Sequence, residues 1–216
     1  GQVLTLQENQ WKKQRPQYLK FTKYLIKMNR IILASKSEVR KKILLENDIN
    51  CDVEPSNVDE DIIKQSLIKD GATPEIISKN LAELKANKVS NKIPEELVLG
   101  ADSVIDLDGE IISKPKSRDE ALNILRKMSG KTHYLISSVC ISKKGNMIWN
   151  HTDKAELVMK DLNDNELQKY LSKISDKNLY AYNVYQIEGE GLKLFSEIKG
   201  DKNTIMGLPI TKIKNY

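Results

Sequence analysis

The stretch Leu99–Pro115, LGADSVIDLDGEIISKP, constrains this chain most, because an Asp108-Gly109 pair between two apolar runs admits little except a tight β-hairpin. Gly109 takes the positive φ that a primed two-residue turn requires, and that turn matches the twist of the strands it joins. Pro115 has no N–H to donate and ends the return strand. Counting back from the turn pairs Leu107 with Glu110 and Ser103 with Lys114. Asp102 then lies diagonal to Lys114 and, by alternation, on the opposite face. For the two charges to share a cleft, the strand must bulge or end near Gly100, and that is the expectation. Gly100 and Ala101 leave room for another backbone to come close.

The rest of the chain alternates strands and helices. Arg30–Ala34 is a short buried strand, followed by Ser35-Lys36-Ser37 and a helix whose Val39, Ile43 and Leu44 share a face. Cys51–Ser56 reads as a second strand and Asn57–Glu60 as an acidic loop or helix start. Thr73 as N-cap with Pro74 behind it opens a long helix with a core stripe of Ile77, Leu81, Leu84 and Val89. Ser117 and Glu120 form a capping box for a helix that stops at Gly130. Thr132–Ser142 and Met147–Met159 are strands joined by a turn at Lys144-Gly145-Asn146, and Asn163 with Glu166 caps the next helix. This order predicts an α/β fold with a largely parallel or mixed sheet.

The net charge of +5 suggests nucleic acid until it is located. Residues 1–29 carry Lys12, Lys13, Arg15, Lys20, Lys23 and Lys27 against Glu8 alone, and the remainder is balanced. A neutral body lacks the broad basic footprint of a duplex binder, so no stable nucleic-acid complex is expected. Residues 1–27 read as an N-terminal basic extension lying upstream of a start at Met28, with an ordered packing helix or a targeting leader as other readings. Residues 28–216 form the domain. Cys51 and Cys140 have no metal or redox spacing, which suits a reducing, cytoplasmic setting. No apolar run approaches the ~18 residues of a membrane span.

Several residues are candidates for chemistry. Serines leading from a strand into a helix are commonly N-caps, but the same geometry exposes N–H groups and the positive dipole end to an anion, with Arg40 one turn in. Asp59 and Glu60 read as capping or solvated groups before metal ligands. Lys85 sits at the edge of the long helix's apolar stripe, where lysines usually snorkel. His133 and His151 have no partner at ligand spacing and are given no catalytic role. The segment Tyr180–Gly191 is either a stacking platform for a base or a set of core aromatics.

Seven motifs in order resemble the Maf-like nucleoside triphosphate pyrophosphatases, also called septum formation inhibitor proteins. They are ASKS with Arg40 at Ala34–Arg40, VDE at Val58–Glu60, LAELKA at Leu81–Ala86 and GADS at Gly100–Ser103. SKP at Ser113–Pro115, IEGEG at Ile187–Gly191 and GDKNTIMGLP at Gly200–Pro209 complete the set. The resemblance spans residues 29 to about 214. It implies an elongated mixed-sheet α/β fold with two lobes flanking a nucleotide cleft, similar to inosine triphosphate pyrophosphatases. It implies hydrolysis of a nucleoside triphosphate to the monophosphate and pyrophosphate with a divalent cation, Mg²⁺ or Mn²⁺. Asp102 matches the proton acceptor, Ser35, Arg40, Lys85 and Lys114 match positions holding the triphosphate, and Val39, Ser103 and Glu188 match positions tuning base choice. Asp102 and Glu60 are the expected metal ligands, and a homodimer is the expectation for the family.

The chemistry agrees with those roles. Cations around a triphosphate stabilise the charge that moves onto leaving pyrophosphate. An aspartate in its ordinary range is a weak base, so placing the water matters more than proton affinity. The departures are Glu38-Val39 where Pro-Arg is usual, Ser103 for the commoner Thr, and Glu188 for a frequent Gln. A Glu there goes with the 7-methyl-GTP branch, and a carboxylate suits the N1–H and N2–H₂ donors of guanine. Val39 and Ser103 match neither branch, so the base stays open with a purine lean. The absent arginine keeps a second reading in view, a non-catalytic nucleotide-binding regulator of cell division. A third is a nucleic-acid contact through the leader.

Overall fold

The computed structural model describes residues 30–216; the expectations for residues 1–27 lie outside that range. Seven strands form one mixed sheet: β1 (Ile31–Leu33), β2 (Cys51–Val53), β3 (Leu97–Leu107), β4 (Glu110–Ile112), β5 (Thr132–Lys143), β6 (Asn146–Met159) and β7 (Phe195–Lys199). The order is β2-β1-β3-β5-β6-β7, with β4 also on β3. β1 runs parallel to β2 and β3, and every other pairing is antiparallel. Both hairpins turn on two residues with positive φ, Asp108-Gly109 and Lys144-Gly145, as primed turns demand.

Helices cover the sheet. α1 (Glu38–Glu46) is capped by Ser37, α2 (Glu60–Lys69) by Asp59 and α3 (Pro74–Lys92) by Thr73. α4 (Arg118–Met128) is capped by Ser117, α5 (Asp164–Leu171) by the Asn163–Glu166 box and α6 (Asp176–Tyr182) by Ser175. A 3₁₀ turn (Gly189–Leu194) and two short helices, α7 (Lys202–Ile205) and α8 (Ile210–Lys214), complete the chain. The box expected at Ser117 is displaced by one residue, since the Glu120 carboxylate accepts from the Lys116 N–H.

Two apolar clusters meet along β3. Leu97, Leu99 and Ala101 belong to one, with Ile43 and Leu44 of α1 and the C-terminal Leu208, Ile210 and Ile213. Ile105 and Leu107 belong to the other, with α4, α5, Tyr185 and Phe195. Ser103 stands in the same inward row between them, and Ser137 does the same on β5, between Leu135 and Val139. Two apolar lobes thus meet at a polar seam. On the opposite face α3 packs against Ile32, Val98 and Cys140. It comes so near that a Cβ on Gly100 would stand 2.2 Å from the Ala82 carbonyl oxygen.

Four expectations are corrected here. β3 neither bulges nor ends near Gly100; it stays paired to β5 from Val98 through Asp106. β4 is what stops early, at Ile112, so the Ser103–Lys114 pair never forms and Lys114 leaves the sheet. The stripe of α3 is also rotated from the expected one. Leu84 is 39% exposed, and the buried row runs Ile77, Leu81, Lys85, Val89. The first two strands are shorter than read, because only three residues of each find a ladder partner.

Candidate functional site

The site lies where β3 has an open edge. β1 pairs with β3 only as far as Leu99, and β4 pairs with it only from Ile105 onward. Among the described residues no strand pairs with 100–104 on that side. Side chains from both faces of β3 therefore reach one cleft, and Asp102 and Ser103 both open onto it despite alternating. The cleft has a volume of about 1160 Å³, and Ser35, Val39, Arg40, Glu60, Lys85, Asp102, Ser103, Lys114 and Glu188 all line it.

Asp102 is 2% exposed and Lys85 5%. The ammonium of Lys85 lies 2.8 Å from Asp102 Oδ1 and 2.8 Å from Glu60 Oε1, bridging the two carboxylates. This geometry follows from Gly100, since only a residue without a side chain lets α3 settle low enough to bring position 85 to β3. Ser78, also on α3, donates to the Asp102 carbonyl at 3.1 Å. Asp102 Oδ2 is buried with no hydrogen-bond partner among the described residues. Buried polar atoms are nearly always satisfied, so this oxygen is the one on that carboxylate able to take a partner from the cleft, a water included.

On the other face Arg40 is held in three directions. Nε donates to the Gly207 carbonyl at 2.9 Å, and the two terminal nitrogens donate to Ser35 Oγ at 3.1 Å and Ser103 Oγ at 3.3 Å. Burial pulls the Arg40 pKa down, and the charges of Asp102 and Glu60 oppose that. Ser35 also accepts from the Ser37 N–H, while Ser37 caps α1 through the Arg40 N–H. The serine segment thus acts both as a cap and as one wall of the cleft.

Burial holds the Lys114 ammonium below the usual lysine range; Glu60 opposes this, and Lys64, Arg40 and Lys85 add to it. For Glu60 burial pushes upward, but the charge and hydrogen bond of Lys85, with Lys64 and Arg40, outweigh it, and the net shift is downward. Around Lys114 the neighbouring cations Lys64, Arg40 and Lys85 repel its ammonium, and an anion bound among them would relieve that repulsion.

At the other end of the cleft Glu188 Oε1 accepts from Lys202 at 3.2 Å, among Tyr180, Tyr185, Gln186 and Ile187. Tyr185 is buried against His133 and Phe195, which favours the core reading of that aromatic segment. His133 donates to or accepts from Tyr185 at 2.9 Å, and burial lowers its pKa to about 4. Among the described residues no three His, Cys, Asp or Glu side chains gather as a metal group, and no helix is long and apolar enough to cross a membrane.

Sequence reasoning missed Ser137, Ser78, Lys64 and the Gly207 carbonyl. Ser137 carried a faint signal, a lone hydroxyl in the apolar row Leu135, Val139, Ile141. Gly207 lay inside the GDKNTIMGLP motif without its carbonyl being singled out, and Ser78 and Lys64 carried no signal, because their roles depend on what packs against them.

Fold and cleft together define an α/β protein that draws cations from four separated segments around one buried aspartate. The family model described as Maf-like protein matches residues 30–216, and the chain belongs to that family. It is 72% identical over 186 residues to a nucleoside triphosphate pyrophosphatase of Pelagibacter ubique (strain HTCC1062), covering 86% of this chain and 95% of that protein. It is 37% identical over 181 residues to a 7-methyl-GTP pyrophosphatase of Rhizobium etli, covering 84% and 91%. A solved HAM1 protein from Coxiella burnetii superposes with a TM-score of 0.41 at 14% identity, over 61% of this chain and 73% of that one.

Proposed function

We propose that this chain hydrolyses a nucleoside triphosphate to the monophosphate and pyrophosphate, with Asp102 at the reacting end and Ser35, Arg40, Lys85 and Lys114 on the phosphates. The observation that carries this is the orphaned Oδ2 of a buried Asp102 whose other oxygen is held by Lys85. With Oδ1 occupied, Oδ2 is the atom left to accept from an attacking water and orient it toward the α-phosphorus. As the water oxygen bonds to that phosphorus its proton passes to Asp102 Oδ2, the bond to the bridging oxygen breaks, and charge builds on the leaving pyrophosphate. Lys114, Lys85 and the forked Arg40 offset that charge, as charge-assisted contacts to phosphate oxygens do.

Asp102 and Glu60, two carboxylates drawn together by Lys85 with Asp102 Oδ2 unsatisfied, would be the oxygen donors for a divalent cation, Mg²⁺ or Mn²⁺. When bound, that ion would screen the triphosphate and acidify water. Glu188 matches a position that tunes base choice in the family, and with Tyr180, Tyr185, Gln186 and Ile187 beside it in the cleft lining we assign it to the nucleoside end. It can only accept, which favours the N1–H and N2–H₂ edge of a guanine-type base over the carbonyls of uracil. The Rhizobium relative's name agrees with that lean. A purely regulatory, non-catalytic role is not favoured beside relatives named for the hydrolysis.

The test is pyrophosphate release over canonical and 7-methylated triphosphates with Mg²⁺ or Mn²⁺. Asp102→Asn keeps the shape and is expected to lose about 10²–10⁴-fold in turnover. A variant as fast as the parent overturns the role of Asp102.

A further inference from the structure

We infer that Ser137, a residue outside the cleft, is a positioning residue that sets the direction of the Ser103 hydroxyl and through it the plane of Arg40. The inference rests on the function proposed above. Ser137 is fully buried, and its Oγ lies 2.7 Å from the Thr204 carbonyl oxygen and 2.7 Å from Ser103 Oγ. A carbonyl can only accept, so the single hydroxyl proton of Ser137 is committed to Thr204. The proton in the Ser137–Ser103 bond must then come from Ser103. Ser103 is left with lone pairs alone toward the cleft, and Arg40 donates into them at 3.3 Å.

The seam therefore has one polarity from end to end. Arg40 donates to Ser103, Ser103 to Ser137, and Ser137 to the backbone of α7. That backbone is itself fixed, because Thr204 Oγ1 donates to Asp153 on β6 at 2.7 Å and the Gly207 carbonyl just beyond takes Arg40 Nε at 2.9 Å. Arg40 is thus aligned at two points, both referred to the same short segment 204–207. Two consequences follow for the substrate. The guanidinium arrives already oriented, so less freedom is lost on binding the phosphates. Ser103 can accept from a substrate N–H or O–H, and it cannot donate to a substrate oxygen.

The experiment is a double-mutant cycle read by equilibrium binding of α,β-methylene GTP, which does not depend on turnover, alongside kcat and KM for pyrophosphate release. Ser137→Ala is expected to weaken analogue binding about five- to tenfold, the scale of one lost hydrogen bond, and to raise KM more than it lowers kcat. Ser137→Thr keeps the hydroxyl and is expected to restore binding to within about twofold. In a Ser103→Ala background, Ser137→Ala should add less than about twofold, because its path to Arg40 is already cut. Equal losses in both backgrounds, or failure of Ser137→Thr to restore binding when it folds like the parent, overturn the inference. Should Ser137→Ala fail to fold, Ser103→Ala alone must reproduce the KM-weighted loss, and parent-like binding by that variant is equally fatal. A parent that binds the analogue but releases no pyrophosphate from any triphosphate sinks the proposed function and leaves the cycle readable. One that binds no triphosphate sinks both.

Discussion

Lys85→Met is the sharpest single perturbation of this protein, because it removes an ammonium that two carboxylates share. Both ion pairs are 2.8 Å long, but their settings differ: the Asp102 side chain is 3% exposed and that of Glu60 42%. Glu60 regains water once its partner goes, whereas Asp102 keeps an uncompensated buried charge. Breaking a buried pair from one side costs about 3–5 kcal/mol. The lower end applies, since Asp102 borders the cleft. For a domain of this size about 3 kcal/mol lowers Tm by roughly 6–12 °C. The assay is thermal unfolding with a matched denaturant titration, run on Lys85→Met, Asp102→Asn and the double variant. Asp102→Asn leaves Lys85 paired to Glu60 and should cost less. In the double variant the stranded charge is gone, so about half the loss or more should return. A Lys85→Met protein within about 1 kcal/mol of the parent, or a double variant no more stable than Lys85→Met, would refute the claim that Lys85 compensates Asp102.

Three further outcomes are expected. Lys114 has a lowered pKa, so it loses its charge at a less alkaline pH than an ordinary lysine, and its hold on phosphate goes with it. Lys114→Arg, charged throughout, should move the alkaline limb of kcat/KM to higher pH; an unmoved limb removes Lys114 from that limb. Gly100→Ala would set a Cβ 2.2 Å from the Ala82 carbonyl and 2.7 Å from the Ala86 nitrogen. Backbone cannot yield as a side chain does, so a loss of about 1–3 kcal/mol or more is expected together with slower turnover as Lys85 is lifted from Asp102. A stable, fully active Gly100→Ala protein contradicts the close packing. Glu188→Gln adds a donor at the nucleoside end and should shift kcat/KM away from guanine-type triphosphates toward pyrimidines, measured as a ratio over the same panel.

Much of this architecture was legible in the chain itself. The Asp108-Gly109 turn, the caps at Ser37, Asp59, Thr73, Ser117 and Asn163, and the alternation of strands and helices are each encoded within a few residues, where backbone sterics and one or two hydrogen bonds decide the outcome. The resemblance to the Maf-like family, carried by seven short motifs, likewise pointed to Ser35, Arg40, Lys85, Asp102, Ser103 and Lys114. What packing alone decided is how they meet. Local counting paired Ser103 with Lys114, but strand β4 ends two residues short, and no local rule says where a ladder gives way to a cleft. Periodicity put Leu84 in the buried row of α3; the sheet below selected Lys85 instead, because Asp102 offered a charge that repaid burying the ammonium. The proton order along Arg40, Ser103, Ser137 and Thr204 depends on a carbonyl 67 residues from the serine that reads it. Sequence determines elements because their energetics are short-range, whereas a site assembled from four distant segments exists only once tertiary contacts have placed each group in the field of the others.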